Sequence, residues 1–377
     1  MSRASEAAAA APPRPAAADE RIARQSAVSR LLSRPEFGAL AGTVLVFAFF
    51  AVTAGGTGMF AADGILNWST VSAQLMILAV GAALLMIGGE FDLSVGSMIG
   101  FAGMMIAIPT LYFGFPMWAS VVFAFAGAMF IGYLNGLIVV RTRLPSFIVT
   151  LASLFILRGL TIALSIMFTN RTIVSGVREA ADGTFVGWLF GAKVGGGLFV
   201  WLADLGLVAR MPNGLPVVPG IPMVILWAIA LAVVAHVVLT RTRLGNWIFA
   251  SGGDANAARN VGVPVGAVKI GLFMLTAFCA TVYAACQVFE FGSAAADRGQ
   301  LKEFEAIIAA VIGGCLLTGG YGSVIGAVLG SIIFGVVQMG ILFTGAPNDW
   351  FRVFLGVMLL IAVLFNNVVR RRVTGER

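Results

Sequence analysis

The sequence predicts an all-α integral membrane protein of about ten transmembrane helices, with both termini in the cytoplasm. Three observations carry that prediction. Hydrophobic residues make up 59% of the 377-residue chain, and 47 glycines bring the apolar share to about 71%, against about 45–50% in soluble domains. Charged residues amount to 11% and fall in short clusters between long apolar runs. At about 20 residues per span, the hydrophobic residues suffice for ten helices and leave little for a soluble catalytic domain.

Residues 1–36 are rich in Ala and Pro and carry Arg3, Arg14, Arg21, Arg24, Arg30 and Arg34. Such a composition cannot bury a core, so a disordered cytoplasmic tail is expected there. The apolar run that follows is the first of many and reads as a retained span, not a cleaved leader. Runs bounded by Gly, Pro, Arg or Asn place helices near 38–54, 70–88, 95–112, 118–140, 146–168, 221–239, 268–289, 304–317, 323–343 and 351–369. They form a transmembrane domain over 37–369, followed by a basic cytoplasmic tail at 370–377. With the N-terminus inside, sixteen of the 24 Lys and Arg residues face the cytoplasm, as the positive-inside rule requires. Four of the six that fall outside share one long loop.

That loop, 169–220, is the longest interruption and is expected on the periplasmic side. Within it, 184–208 is amphipathic, with Phe185, Trp188, Leu189 and Phe190 followed by Leu198, Phe199, Trp201 and Leu202. The piece suits a membrane surface and can receive a soluble partner. Two short internal echoes, Arg141-Thr-Arg-Leu144 with Arg241-Thr-Arg-Leu244 and Val95–Gly100 with Tyr321–Gly326, fit the repeated halves common in transporters.

Composition also excludes several chemistries. The net charge of +7 comes from clusters that mark topology, with no basic face for nucleic acid. Cys279, Cys286 and Cys315 lie inside apolar runs without metal-ligand spacing, so neither a disulfide nor a metal site is expected. His236 is the single histidine. No catalytic constellation and no Walker-type sequence occur, so any ATP hydrolysis must take place on another polypeptide.

Function is therefore sought in polar breaks between spans. Gly88–Ser97 places Glu90, Asp92 and Ser94 among glycines at or near membrane depth. Acids there face a cavity or a partner, and a non-helical break is tolerated only where protein or water covers it. Two readings stand side by side: a break that lines a translocation route or its gate, and a tight cytoplasmic turn with Asp92 or Ser94 as N-cap. Glu303 and Glu305 open the run to Gly314, where first-turn acids complement the helix dipole. The cytoplasmic loop 240–267 holds Gly252–Pro264, in which Asp254 or Asn256 can cap a short helix through Ala257, Ala258 and Arg259, stopped by Gly262 and Pro264. Such a helix can nest in a groove on a soluble partner. Gln74, with Trp68, Asn135, Tyr283 and Gln287, is a candidate for contact with a solute on its pathway.

These motifs, taken together, resemble the integral membrane permeases of bacterial ABC importers for ribose, xylose, galactose, inositol and related simple sugars. The resemblance runs from about residue 70 to 369 and is carried by Gly89–Ser97, Leu144–Leu151 with Arg158-Gly159, Gly252–Gly262, and Glu303–Gly314 with Thr318–Gly322. It implies a multi-pass inner-membrane protein that moves a sugar or polyol by alternating access. It implies ATP-binding cassette subunits as partners, which hold the ATP and magnesium, a second permease copy as a homodimer, and a periplasmic substrate-binding protein. It also implies that Asp254, Asn256, Ala257, Ala258, Arg259 and Gly262 form the coupling loop, with Asn256 where the family motif has an acid. Glu90, Asp92, Ser94 and Gln74 are then expected along the gate or pathway. A branched-chain amino-acid or nucleoside permease is the alternative within the superfamily. An ion-coupled carrier would need an acid buried mid-helix, whereas Glu90, Asp92, Glu290, Glu303 and Glu305 fall at the ends of runs. A lipid-modifying enzyme would need a catalytic cluster that the sequence lacks.

Overall fold

A computed structural model describes residues 35–347, 349–358 and 360–361. Eight helices among them are long and apolar enough to cross a membrane. They are α1 (Pro35–Thr53), α2 (Ala62–Ile87), α3 (Val95–Phe113), α4 (Met117–Thr142), α5 (Ser146–Thr169), α9 (Met223–Arg241), α12 (Val265–Phe291) and α14 (Val324–Phe343). Proline punctuates several starts: Pro116, Pro145 and Pro222 hold the N-cap positions of α4, α5 and α9 in extended or near-extended backbone, since a residue without an amide hydrogen fits where no intrahelical donor is needed. Left-handed C-caps end α3 at Gly114, α4 at Arg143 and α5 at Asn170.

The core lies around α2, whose whole second half from Leu75 to Ile87 is buried. Helices α9, α12, α13 (Lys302–Ile312) and α14 pack on it, and α4 lies along α12 through close glycines. A Cβ at Gly136 would stand 2.8 Å from Ile270 Cα, and one at Gly132 would stand 2.6 Å from the Phe273 carbonyl oxygen. Small residues at these positions are what lets two membrane helices approach at backbone distance. Helices α1, α5 and α9 lie at the rim, with most of their apolar side chains facing outward.

The expected loop 169–220 is more structured than a surface connector. It contains β1 (Ile173–Ser175), α6 (Val177–Ala181), α7 (Phe185–Gly191), β2 (Lys193–Val194) and α8 (Gly196–Asp204), and β3 (Ile221–Pro222) closes it against β2. The amphipathic piece at 184–208 is two short helices, not one. Helix α7 is pinned to the bundle: Phe190 is buried and stacks on Trp227 at 5.4 Å, and Trp227 Nε1 donates to the Leu189 carbonyl at 3.0 Å.

The expected span at 304–317 also differs. It forms α13 (Lys302–Ile312), only 11 residues, or about 16 Å, half of a hydrocarbon core. The chain reaches its start through β4 (Ser293–Ala295), which pairs antiparallel with β1, Ile173 opposite Ala295. From there it turns back alongside α3, so that the Ala296 and Arg298 carbonyl oxygens lie against Gly100 and that of Gly299 lies against Gly96. Extended backbone and a half-helix together make one crossing. Residues 349–358 and 360–361 are helical. The rest of the run 351–369 and both expected tails lie outside the described residues.

The two remaining helices connect α9 to α12 on the inner side: α10 (Arg243–Gly253) and α11 (Ala255–Asn260).

Candidate functional site

The break between α2 and α3 is buried, and several of its polar groups are held by helices distant in sequence. Asp92 Oδ1 accepts from Ser94 N at 2.9 Å and Ser94 Oγ at 2.6 Å, while Thr276 Oγ1 of α12 donates to Asp92 Oδ2 at 2.6 Å. Asn135 Nδ2 of α4 donates to Ser94 Oγ at 3.2 Å, and Ser153 Oγ of α5 donates to Asn135 Oδ1. The backbone amides of Phe91 and Leu93 are taken by Ser146 Oγ at 3.0 Å and Thr150 Oγ1 at 3.1 Å. The geometry favours the buried break over a solvated turn. Thr276 lies eleven residues into α12, about 16 Å from its inner end.

Nearer the inner face, Glu90 pairs with Lys269 of α12, both partly buried. The pair borders a cavity of about 380 Å³ lined also by Arg143, Asn256 and Arg259. The last two belong to α11. Asp254 caps that helix, accepting from the amides of Asn256 at 2.9 Å and Ala257 at 3.0 Å. Gly262 ends the turn beyond it at φ +88°. Arg259 Nη1 donates to Asn256 Oδ1 at 2.9 Å, so Asn256 orients the helix's cation. Ala258 faces inward, whereas Ala257 and Val261 are exposed.

Five glycines join the end of α10, where the chain enters α11, to the break. Gly89, Gly252-Gly253 and Gly319-Gly320 meet at backbone distance: a Cβ at Gly252 would stand 1.8 Å from the Ile87 carbonyl oxygen, and one at Gly319 would stand 2.7 Å from Gly89 Cα. The Gly320 amide donates to that same Ile87 carbonyl at 2.9 Å. The break, the residues that enter α11 and the turn after α13 therefore form one closely packed joint.

Residues 64–363 match the family described as branched-chain amino acid transport system / permease component. The chain belongs to this permease family. Among its relatives, the xylose transport system permease protein of Escherichia coli (strain K12) is 29% identical over 372 residues, 89% of this chain and 92% of its own length. The xylose transport system permease protein of Haemophilus influenzae is 29% identical over 358 residues, covering 86% of this chain and 94% of its own length. The ribose import permease protein of Escherichia coli (strain K12) is 33% identical over 306 residues, 80% of this chain and 84% of its own length. The resemblance to sugar permeases seen in the motifs is upheld, and this permease is a multi-pass inner-membrane protein.

Within the permease, Asp92 and Ser94 bond to each other, while Glu90 turns to Lys269. Gln74 does not join them. Its Nε2 lies 3.4 Å from Glu290 Oε2, near an outer cavity of about 780 Å³ bordered by Arg178, Asp182, Thr184, Trp188 and Lys193. Glu303 and Glu305 lie in the first turn of α13, as helix-dipole reasoning anticipates; both are buried, and Glu305 pairs with Lys302. Sequence reading also passed over Ser146, Thr150 and Ser153 as site residues. Their spacing of four and three residues is a polar stripe on one helical face in an apolar run, which is a legible signal. Thr276 and Lys269 carry no such pattern.

Proposed function

We propose that this permease carries a simple sugar or polyol inward by alternating access, driven by ATP hydrolysis on separate ATP-binding cassette subunits. The glycine joint is the observation that carries the reading. It ties α11, a capped helix on the inner face, to the buried break that holds Glu90, Asp92 and Ser94, so a force applied at α11 reaches the break through backbone contacts. Asp254, Asn256, Ala257, Ala258, Arg259 and Gly262 form the coupling element; Glu90, Asp92 and Ser94 form the inner gate. Gln74 belongs to the outer end of the pathway.

Partners follow from this division of labour. ATP and magnesium are held by the ATP-binding subunits, a second copy of the permease completes the membrane unit, and a periplasmic binding protein delivers the solute to the outer face. ATP favours one orientation of the permease and the loaded binding protein a compatible one, and that differential affinity drives the cycle. The xylose and ribose names of the relatives favour a simple sugar over an amino acid.

The test is purification of the tagged permease from its native membrane in mild detergent, with and without Gly262→Arg. No atom lies within 4 Å of where a Cβ at Gly262 would stand, so the bulky cation extends into open space beyond α11, while the left-handed backbone there, φ +88°, strains any side chain and disturbs the turn itself. An ATP-binding subunit is expected to co-purify with the native chain and to be lost from the variant, with the permease itself intact. Retention in the variant contradicts the assignment of α11. Absence from the native chain, even after crosslinking, contradicts the ATP-driven class.

A further inference from the structure

Three polar groups that the proposed cycle has not used meet halfway across the permease. Ser97 is in the first turn of α3, Glu303 is in the first turn of α13, and Arg158 is twelve residues into the 24-residue α5, about 18 Å from its inner end. The starts of α3 and α13 touch: a Cβ at Gly96 would stand 1.9 Å from Glu303 Oε2 and 2.5 Å from the Gly299 carbonyl oxygen. Arg158 on α5 lies within electrostatic reach of Glu303, but no ion pair or hydrogen bond joins the two. Ser97 and Glu303 are each 3% exposed. Even so, Ser97 Oγ, Arg158 Nη2 and Glu303 Oε2 are buried atoms without a hydrogen-bond partner.

Unpaired polar atoms at this depth are unfavourable, and ionisable groups inside a membrane face a cavity or a partner. The neighbouring Lys302 and Glu305 are already paired with each other, so they do not relieve the three. Helices that start inside the membrane are also where transporters place solute sites. We propose that Ser97, Arg158 and Glu303 form a binding station for hydroxyl groups of the transported solute, halfway along its route. The carboxylate accepts, the guanidinium donates in a planar fork, and the serine does both. Opposite charges on Arg158 and Glu303 cancel, which suits a neutral polyhydroxyl solute and disfavours an ion. The solute's identity rests on the sugar-or-polyol reading above; the position of the station does not.

The test uses the full transporter in liposomes, with D-xylose and D-ribose as probes. Ser97→Cys is treated with a membrane-impermeant thiosulfonate with and without ATP, and compared with the native chain, whose three cysteines are buried. The station predicts labelling at least tenfold faster in one nucleotide state than in the other, slowed by the transported pentose. It also predicts that Glu303→Gln and Arg158→Lys raise the half-saturation concentration for pentose uptake about tenfold at an equal amount of assembled complex. A cysteine that stays unlabelled in every state overturns the proposal. So does labelling that the transported pentose leaves unchanged, or variants that lower the amount of complex at an unchanged half-saturation. Nucleotide-dependent labelling in a transporter that moves neither pentose upholds the station's position and overturns the sugar reading alone.

Discussion

Gly252 shows how much one residue can carry. Its missing side chain is the space that the Ile87 carbonyl fills, and that carbonyl already accepts the Gly320 amide. Gly252→Ala must therefore push the break away from α10, at a cost of about 1–3 kcal/mol from overpacking. A thermal unfolding scan of the detergent-purified permease is expected to show a lower midpoint for Gly252→Ala than for Gly253→Ala, since a Cβ at Gly253 would meet only Gly320 Cα at 4.0 Å. Equal midpoints would mean that the joint is not a close contact. Sequence reading found the glycines of each break but not their convergence. Gly89, Gly252 and Gly319 are far apart along the chain, and each on its own looks like an ordinary turn. The same separation hides Asp92 from Thr276, 184 residues away. Asp254 was legible for the opposite reason: a cap and the amides it satisfies lie within three residues of each other.

At the scale of elements, α11 is a six-residue helix, too short to be stable by propagation alone. Asp254 supplies the side-chain acceptor that its first amides need. Asp254→Ala is expected to cost about 1 kcal/mol of local stability and to speed hydrogen exchange at Asn256 and Ala257, while exchange in α12 stays slow. Unchanged exchange at those two amides would show that the helix does not depend on its cap. The spanning helices were legible because apolar runs of this length have one outcome in a bilayer. The run at 304–317 was the exception. Its hydropathy is that of a span, but Gly313 and Gly314 end the helix and Gly299 with Leu301 starts it late, both in left-handed backbone. Half of that crossing is made by β4 and the turn after it, whose pairing with β1 no local pattern announces.

Across the whole molecule, polar groups stand at several depths in an otherwise apolar bundle, and the proposed mechanism takes them as a staged route. Gln74 and Glu290 lie below the outer cavity, Ser97, Arg158 and Glu303 lie at mid-depth, Asp92 with Ser94 and Asn135 lie below them, and Glu90 with Lys269 opens on the inner face. Composition alone told that this chain spans a membrane, and it could not tell which polar residues share a face, because that is decided by how α3, α4, α5 and α12 pack. The staged route and the joint at α11 make one demand together: movement of solute must require work done from the inner face. The direct measurement is uptake of labelled D-xylose and D-ribose into liposomes that hold the permease, its ATP-binding subunits and the loaded binding protein. The proposed mechanism predicts accumulation that needs ATP hydrolysis and is absent from liposomes holding the permease alone under a proton or sodium gradient. Accumulation by the permease alone under such a gradient would contradict it.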